Sequence, residues 1–418
     1  MTAKNSGKSG KREQRGSTYL LVLTCSMLVT VIGLASLLAT RVQRRSAQMA
    51  EDFTEARFCA QTAVEMGLLF VMQDPNWRSN RSNGTWVSNQ PLGTGSYTLQ
   101  GTDPQDADLA DSKYDPLILT GVGNKGIARH KTQVTLAPQI RPLAALNTCL
   151  HASGQVTVNS DKQVTVVNAP LSTNDALVNG GVVDGDVNAA SVTGTGTIAG
   201  IPTVPSAQKP MPDSQVISQY IAKATVIPFT GTIDEKVLAP SYNPWGAGNS
   251  DGVYYLNTGG NDLTIKDSRI YGTLIINTGG KKVVLDDSVC MQRFRSDYPV
   301  LIVNGNLEIR IDSADYPLSE WSEFKNFNPP GAPYQGQTDV DIWDVYPNEI
   351  QGLVYVVGSL KLKQTAKIVG GVICQGPVQC DGVNTIIHDQ SLYSSPPEGY
   401  TFVECMKLSP GSWKQTVD

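Results

Sequence analysis

An uncharged, strongly apolar run over residues 17–40 constrains this chain more than any other feature. Its densest part, 19–39, is 21 residues long, enough to cross a bilayer as a helix. Lys4, Lys8, Lys11, Arg12 and Arg15 precede it, and Arg41, Arg44 and Arg45 follow. Five basic residues before the run and three after it favour a cytoplasmic N-terminus, with the bulk of the chain on the other side. A removable secretory signal would have a shorter apolar stretch and small residues at a cleavage site, whereas this run ends in A-T-R-V-Q-R-R. Cleavage after the apolar run is not expected.

The helical pattern continues beyond the run. Residues 41–73 contain no proline and one glycine, Gly67, while Val42, Met49, Phe53, Ala56, Ala60, Ala63, Val64, Gly67 and Leu68 recur at steps of three and four. Asp74-Pro75 ends the pattern. One helix over 17–73 is predicted, roughly 85 Å long at 1.5 Å per residue. Its first half is apolar all round and its second half carries one apolar stripe.

The basic leader ending in Gly16, the apolar run that follows at once and the long amphipathic continuation resemble the type IV pilin superfamily, in particular the PilX-like minor pilins and general-secretion pseudopilins. The resemblance implies that a prepilin peptidase cuts between Gly16 and Ser17 on the cytoplasmic side and that the helix stays in the mature protein. It also implies partners: other pilin-like subunits, an assembly ATPase and an inner-membrane platform protein. Major pilins commonly carry phenylalanine or methionine at the first mature position and glutamate at the fifth, where this chain has Ser17 and Leu21. A subunit without that glutamate resembles the minor subunits thought to sit at filament tips. Read from the residues alone, the same basic, apolar, basic order also describes a static anchor with a stalk.

Downstream, residues 96–100, 117–120 and 127–136 read as short strands, the last two joined by a Gly-Asn-Lys-Gly turn. The pilin-like module is therefore α+β, a long helix with a small antiparallel meander over 74–140. The acid-rich segment 103–115 contains D-P-Q-D-A-D-L-A-D but lacks the ligand order of an EF-hand loop, and is read as solvated rather than calcium-binding.

Beyond residue 145 the chain repeats. Residues 254–270 align without a gap on 274–290, so that Asn257-Thr258-Gly259-Gly260 recurs as Asn277-Thr278-Gly279-Gly280. A second pair begins at Val354 and Val372 and places Cys374 and Cys380 where Val356 and Leu362 stand, so both cysteines are read as small core residues in preference to a disulfide or ligand role. Short β-rich coils without a leucine-rich signature predict a mainly-β head, a β-solenoid, most simply a right-handed parallel β-helix. The expected order is a solenoid-like segment at 141–200, a Pro-rich connector with a helix near 213–224 within 201–250, and coils at 251–315. An insertion at 316–349 follows, then coils at 350–405 and a tail at 406–418. The insertion carries Trp321, Phe324, Phe327, Tyr334 and Trp343. The head's pattern also resembles the β-helical C-terminal portion of some PilX-like bacterial proteins.

Charge and composition exclude several classes. The net charge is −5, and beyond residue 45 there are 25 basic against 37 acidic residues, so nucleic-acid binding is not predicted. Seven cysteines without paired CxxC spacing give neither a zinc site nor a disulfide scaffold. No sequence motif calls for a cofactor or metal. Parallel β-helices often carry polysaccharide-cleaving sites, and Asp286-Asp287 is the pair a glycosidase would need, yet Asp267 occupies the same turn one coil earlier. His130, His151 and His388 are the only histidines, and His388-Asp389 reads as a surface turn in preference to a catalytic dyad. No catalytic residue is assigned. The expected role is a membrane-anchored structural subunit, against a tethered carbohydrate-active enzyme or an anchored adhesin; the aromatic insertion could stack on a surface glycan.

Overall fold

The computed structural model describes residues 13–312 and 316–416, with side chains from Ser17 onward. The chain divides into two compact units, one made of the residues up to Ile140 together with those from Val403, the other of Arg141–Phe402.

Helix α1 (Glu13–Gln73) opens the first unit and runs for 61 residues. Pro75 prevents its continuation, and the Asp74 carboxylate accepts from the Asn76 N–H and the Asn80 amide just beyond. Four antiparallel strands follow in chain order: β1 (Gly84–Leu92), β2 (Gly95–Thr102), β3 (Leu117–Lys125) and β4 (Ala128–Pro142). The three expected strands are all present and longer than predicted. Strand β1, which was not expected, is an edge strand with most side chains in solvent, so its sequence shows no buried alternation. Lys125 pairs with Ala128, so the β3–β4 turn is the two residues Gly126-Ile127, not the longer G-N-K-G turn.

α1 packs on β2 and β3 through its small residues. Ala56, Cys59, Ala60, Ala63 and Val64 are buried, over a core of Leu99, Leu117, Leu119, Val134 and Leu136. A Cβ on Gly121 would stand 2.1 Å from the Ala60 carbonyl oxygen, and one on Gly123 would stand 1.9 Å from that of Ala56. Glycine at both positions lets strand backbone touch helix backbone. The upstream members of the predicted stripe, Val42, Met49 and Phe53, are exposed.

Within the described residues, 406–416 are not a free tail. Thr401–Leu408 pairs with β4 at the sheet edge, and Lys414–Thr416 pairs with β4 as well. The alternation in 401–408 fits a solenoid strand or a sheet strand equally well, and only the pairing distinguishes them. In chain order, the second unit is thus an insertion in the first.

The second unit is a parallel β-solenoid with three short strands per coil, as in Leu150–Ala152, Val156–Val158 and Gln163–Val167. Inward residues stack in columns, for example Leu274, Leu301, Val354, Val372, Leu150 and Leu171. Cys374 stacks on Val356 and Cys380 on Leu362, both fully buried. The gapless 20-residue offset holds as far as Lys266 opposite Asp286; a bulge then pairs Ser268 with Val289.

Stacking order differs from chain order. Coils from Thr225 to His388 stack in sequence, and the coil ending at His388 receives Leu150–Val167, the first coil in the chain. Segment 141–200 therefore forms the far end of the stack rather than its beginning. Residues 204–224 bridge the ends, and their helix, Gln215–Ile221, lies on the outer face through Val216 and Tyr220, against Val253, Ile275, Ile302 and Tyr355. Of the two predicted caps, Asp213 is the one that accepts from a backbone N–H, that of Gln215.

Candidate functional site

Gly16 and Ser17 fall in the first turns of α1, with Gly16 among the residues whose side chains lie outside those described. From Ser17 to Glu51 every residue is exposed, and the span has a mean hydropathy of 2.4 over its most apolar 18 residues. Its hydroxyls are turned inward: Thr24, Thr30, Ser36 and Thr40 each donate to a carbonyl four residues earlier. Such back-bonding satisfies polar groups without water, which an apolar surrounding requires. Leu21 is exposed within this surface. At the other end, Glu55 takes an ion pair from Lys125 at 2.9 Å and a hydrogen bond from Thr94, fastening the helix to both hairpin turns. The Thr94 hydroxyl and then Lys125 hold the Glu55 carboxyl below its usual range.

On the outer wall of the solenoid Asp286 pairs with Arg310 at 3.9 Å. Asp234, Lys266, Asp286 and Arg310 form a charged ladder along one outward column. Beside it, Glu308 contacts Arg310, Lys363 at 2.8 Å and Lys282 at 3.8 Å. Burial opposes its ionisation, but hydrogen bonds from Lys363 and Arg310 bring its carboxyl down to about 2. Asp267 and Asp287 both adopt left-handed backbone conformations at the irregularity in strand pairing that follows Lys266 and Asp286.

His388 is not on a surface turn. It is buried, with Nε2 2.8 Å from the Leu146 carbonyl, while Asp389 pairs with Arg293 at 2.7 Å, so the two do not form a dyad. A constellation that sequence spacing concealed joins His151, Ser172 and Lys209. Lys209 Nζ donates to Ser172 Oγ at 2.8 Å, and His151 Nδ1 lies 3.1 Å from the same oxygen. His151 and Ser172 are fully buried. Burial and then the Lys209 charge push His151 down to about 4. The stacking of coils brings these residues together at the solenoid wall, with Lys209 half-buried.

The acidic loop of the first unit is more ordered than a solvated segment. Asp103 and Asp115 are buried, and carboxylate oxygens of Asp103, Asp111 and Asp115 converge within 4.8 Å. Arg78 stands among them, donating to the Leu109 and Asp115 carbonyls. The pattern of aspartates was visible in the sequence, but their counter-ion, 25 residues upstream of Asp103, was not.

The insertion at 316–349 folds around Arg269, whose guanidinium is almost wholly buried. It donates to the carbonyls of Phe327, Ala332 and Pro333 and lies against the rings of Tyr271, Tyr334 and Tyr346. Of the five aromatics noted in the sequence, Phe327 is buried and Tyr334 half-buried, whereas Trp321, Phe324 and Trp343 are exposed. Trp321 and Trp343 stack at 4.6 Å with an 11° interplanar angle. Beneath them, Glu320 is fully buried and accepts from the Phe327 N–H, the Tyr346 hydroxyl and the Asp344 N–H. Asp339 and Asp344 converge on it, with carboxylate oxygens of all three within 4.8 Å. Burial, then the charges of Asp339 and Glu320, raise the Asp344 carboxyl.

The first unit is a long helix seated by its small residues on an antiparallel sheet. No family model matches the chain, and no curated protein matches it. Among solved structures, an ice-binding protein from an Antarctic biological consortium aligns with 12% identity and a TM-score of 0.31, covering 59% of this chain and 90% of the other. The competence-associated pilin ComZ of Thermus thermophilus aligns with 12% identity and a TM-score of 0.28, covering 88% of this chain and 98% of the other. An ice-binding protein domain of Shewanella frigidimarina aligns with 13% identity and a TM-score of 0.24, over 60% and 98% respectively.

Proposed function

We propose that this chain is a pilin-like structural subunit, a minor pilin or pseudopilin of a type IV pilus or type II secretion filament, displaying its β-solenoid for assembly or surface interaction. One observation carries the reading: α1 is apolar and exposed on every side over its first half, then docks by a single face on its own sheet. Before assembly the exposed half sits in the inner membrane as a single pass, N-terminus cytoplasmic, with the head on the outer side. In a filament the same surface packs against the helices of other pilin-like subunits. Prepilin peptidase acts between Gly16 and Ser17, and Leu21 in place of the usual glutamate fits a tip or low-copy position. The head acts by contact rather than by catalysis, with Trp321, Phe324 and Trp343 as ring faces for a surface glycan.

The test is to express the full chain with its cognate prepilin peptidase and read the mature N-terminus by mass spectrometry. A new end at Ser17 supports the subunit. An intact leader, together with no crosslinking of α1 to pilins, favours a static anchored scaffold, the reading that its basic flanks also permit.

A further inference from the structure

We propose that Glu320, Asp339, Asp344 and the side-chain oxygen of Asn328 form a binding site for a calcium-class divalent cation, which fastens the insertion at 316–349. The three carboxylates have oxygens within 4.8 Å of one another. Oxygens no farther apart than this can share one ion at metal–oxygen distances of about 2.4 Å. Segments distant in sequence supply them: Glu320 starts a single helical turn, and Asp339 and Asp344 lie on the returning chain.

Asn328 is the second, independent sign. It is only 2% exposed, and its amide points into the cluster, with Nδ2 3.3 Å from Asp339 Oδ2 and 2.9 Å from Asp344 Oδ2. Its Oδ1 has no hydrogen-bond partner. A buried amide oxygen without a partner is costly, and the two ends of an amide exchange by a half-turn of the terminal torsion. That half-turn directs Oδ1 at the carboxylates as a fourth oxygen ligand. The donor set is then all oxygen, with three negative charges, which selects a hard divalent cation. Ligands carried on loop segments suit the adaptable shell of Ca2+ better than the rigid octahedron of Mg2+.

The acidic cluster of the first unit shows the difference a counter-ion makes. There Arg78 stands beside Asp103, Asp111 and Asp115 and supplies positive charge from within the chain. Around Asp344 the groups that act are Asp339, Glu320 and an amide, while Arg269, the cation the insertion folds around, directs its donors at the carbonyls of Phe327, Ala332 and Pro333. A bound cation would supply the missing charge. Trp321 follows Glu320 and Trp343 precedes Asp344 in the sequence, so the ion ties together the two segments that hold the stacked tryptophans.

Terbium luminescence on the full chain in detergent micelles tests this, with Tb3+ as the calcium surrogate and the adjacent tryptophans as sensitisers. Saturable emission that Ca2+ displaces is expected. Asp339→Asn and Asp344→Asn should each weaken Tb3+ binding at least tenfold, while Asp103→Asn leaves it unchanged. Trp343→Phe should lower the emission at saturation without moving the Ca2+ displacement midpoint, a readout that survives even if an aspartate variant unfolds the insertion. The proposal is overturned if both aspartate variants bind as before, if Ca2+ fails to displace the probe, if Asp103→Asn abolishes the signal, or if Trp343→Phe leaves its intensity unchanged.

Discussion

The first half of α1 and the wall of the solenoid are both rich in apolar residues, yet they dispose of them in opposite ways. In the solenoid each inward side chain meets its counterpart from the next coil, and residues such as Ile276, Leu285 and Ile309 are fully buried. In the helix, Leu20, Leu28, Ile32 and Leu37 are each more than half exposed. Repetition gives the solenoid its partners from within the chain, whereas the first half of α1 meets no apolar partner among the described residues. The head is complete in itself and the helix is not.

The largest effect expected from a single substitution lies where helix and sheet touch. Gly123→Val drives a side chain into the Ala56 carbonyl and should cost more than about 3 kcal/mol, releasing α1 from the sheet. Limited proteolysis should then cut within the first unit while the solenoid resists. Simultaneous loss of both would break the contrast between a self-sufficient head and a dependent helix.

Next, Ile309→Ala removes a buried member of an inward column and should cost about 2–5 kcal/mol, read from denaturant midpoints of the solenoid. Leu28→Arg should do the reverse. Its site is exposed, so the stability of the folded units should change by less than about 0.5 kcal/mol. Membrane insertion should become less favourable by about 2.5–3.5 kcal/mol, measured by fractionation or a glycosylation-mapping assay. A soluble-side stability loss larger than the insertion effect would show that the helix is covered by its own chain.

The smallest effect concerns the charged ladder. Because Glu308 has a folded-state pKa near 2, below its unfolded value, its contribution is complete above the unfolded carboxylate range and is lost as pH falls through about 2. Glu308→Gln should therefore cost about 2 kcal/mol at pH 7, and the gap between variant and parent should narrow steadily as urea midpoints are followed from pH 5 towards pH 2. A gap independent of pH would assign the loss to packing instead.

Much of this was legible beforehand because local chemistry repeats. The absence of proline and the three-and-four spacing of Ala56, Ala60 and Ala63 specified the helix and its docking face. The Asn-Thr-Gly-Gly recurrence specified coils, and the place of Cys374 opposite Val356 specified its burial. The candidate cation site was less visible. Glu320, Asp339 and Asp344 follow no ligand spacing, and Asn328 becomes relevant only when the insertion folds over Arg269. His388 was misplaced for a related reason, since the Leu146 carbonyl that holds it belongs to a segment 242 residues away.

Local pattern in the chain specified the elements: a helix too long and too apolar to be covered by its own sheet, short β repeats, and the turns between them. These depend on neighbours within a few residues, where periodicity, proline and glycine act directly. Tertiary structure alone decided the order in which coils stack, the return of 401–416 to the first sheet, and the partners of the buried charges. A strand's alternation says which face is buried but not which strand lies beside it, so any coil of matching pattern could have followed His388, and the one that did begins at Leu150.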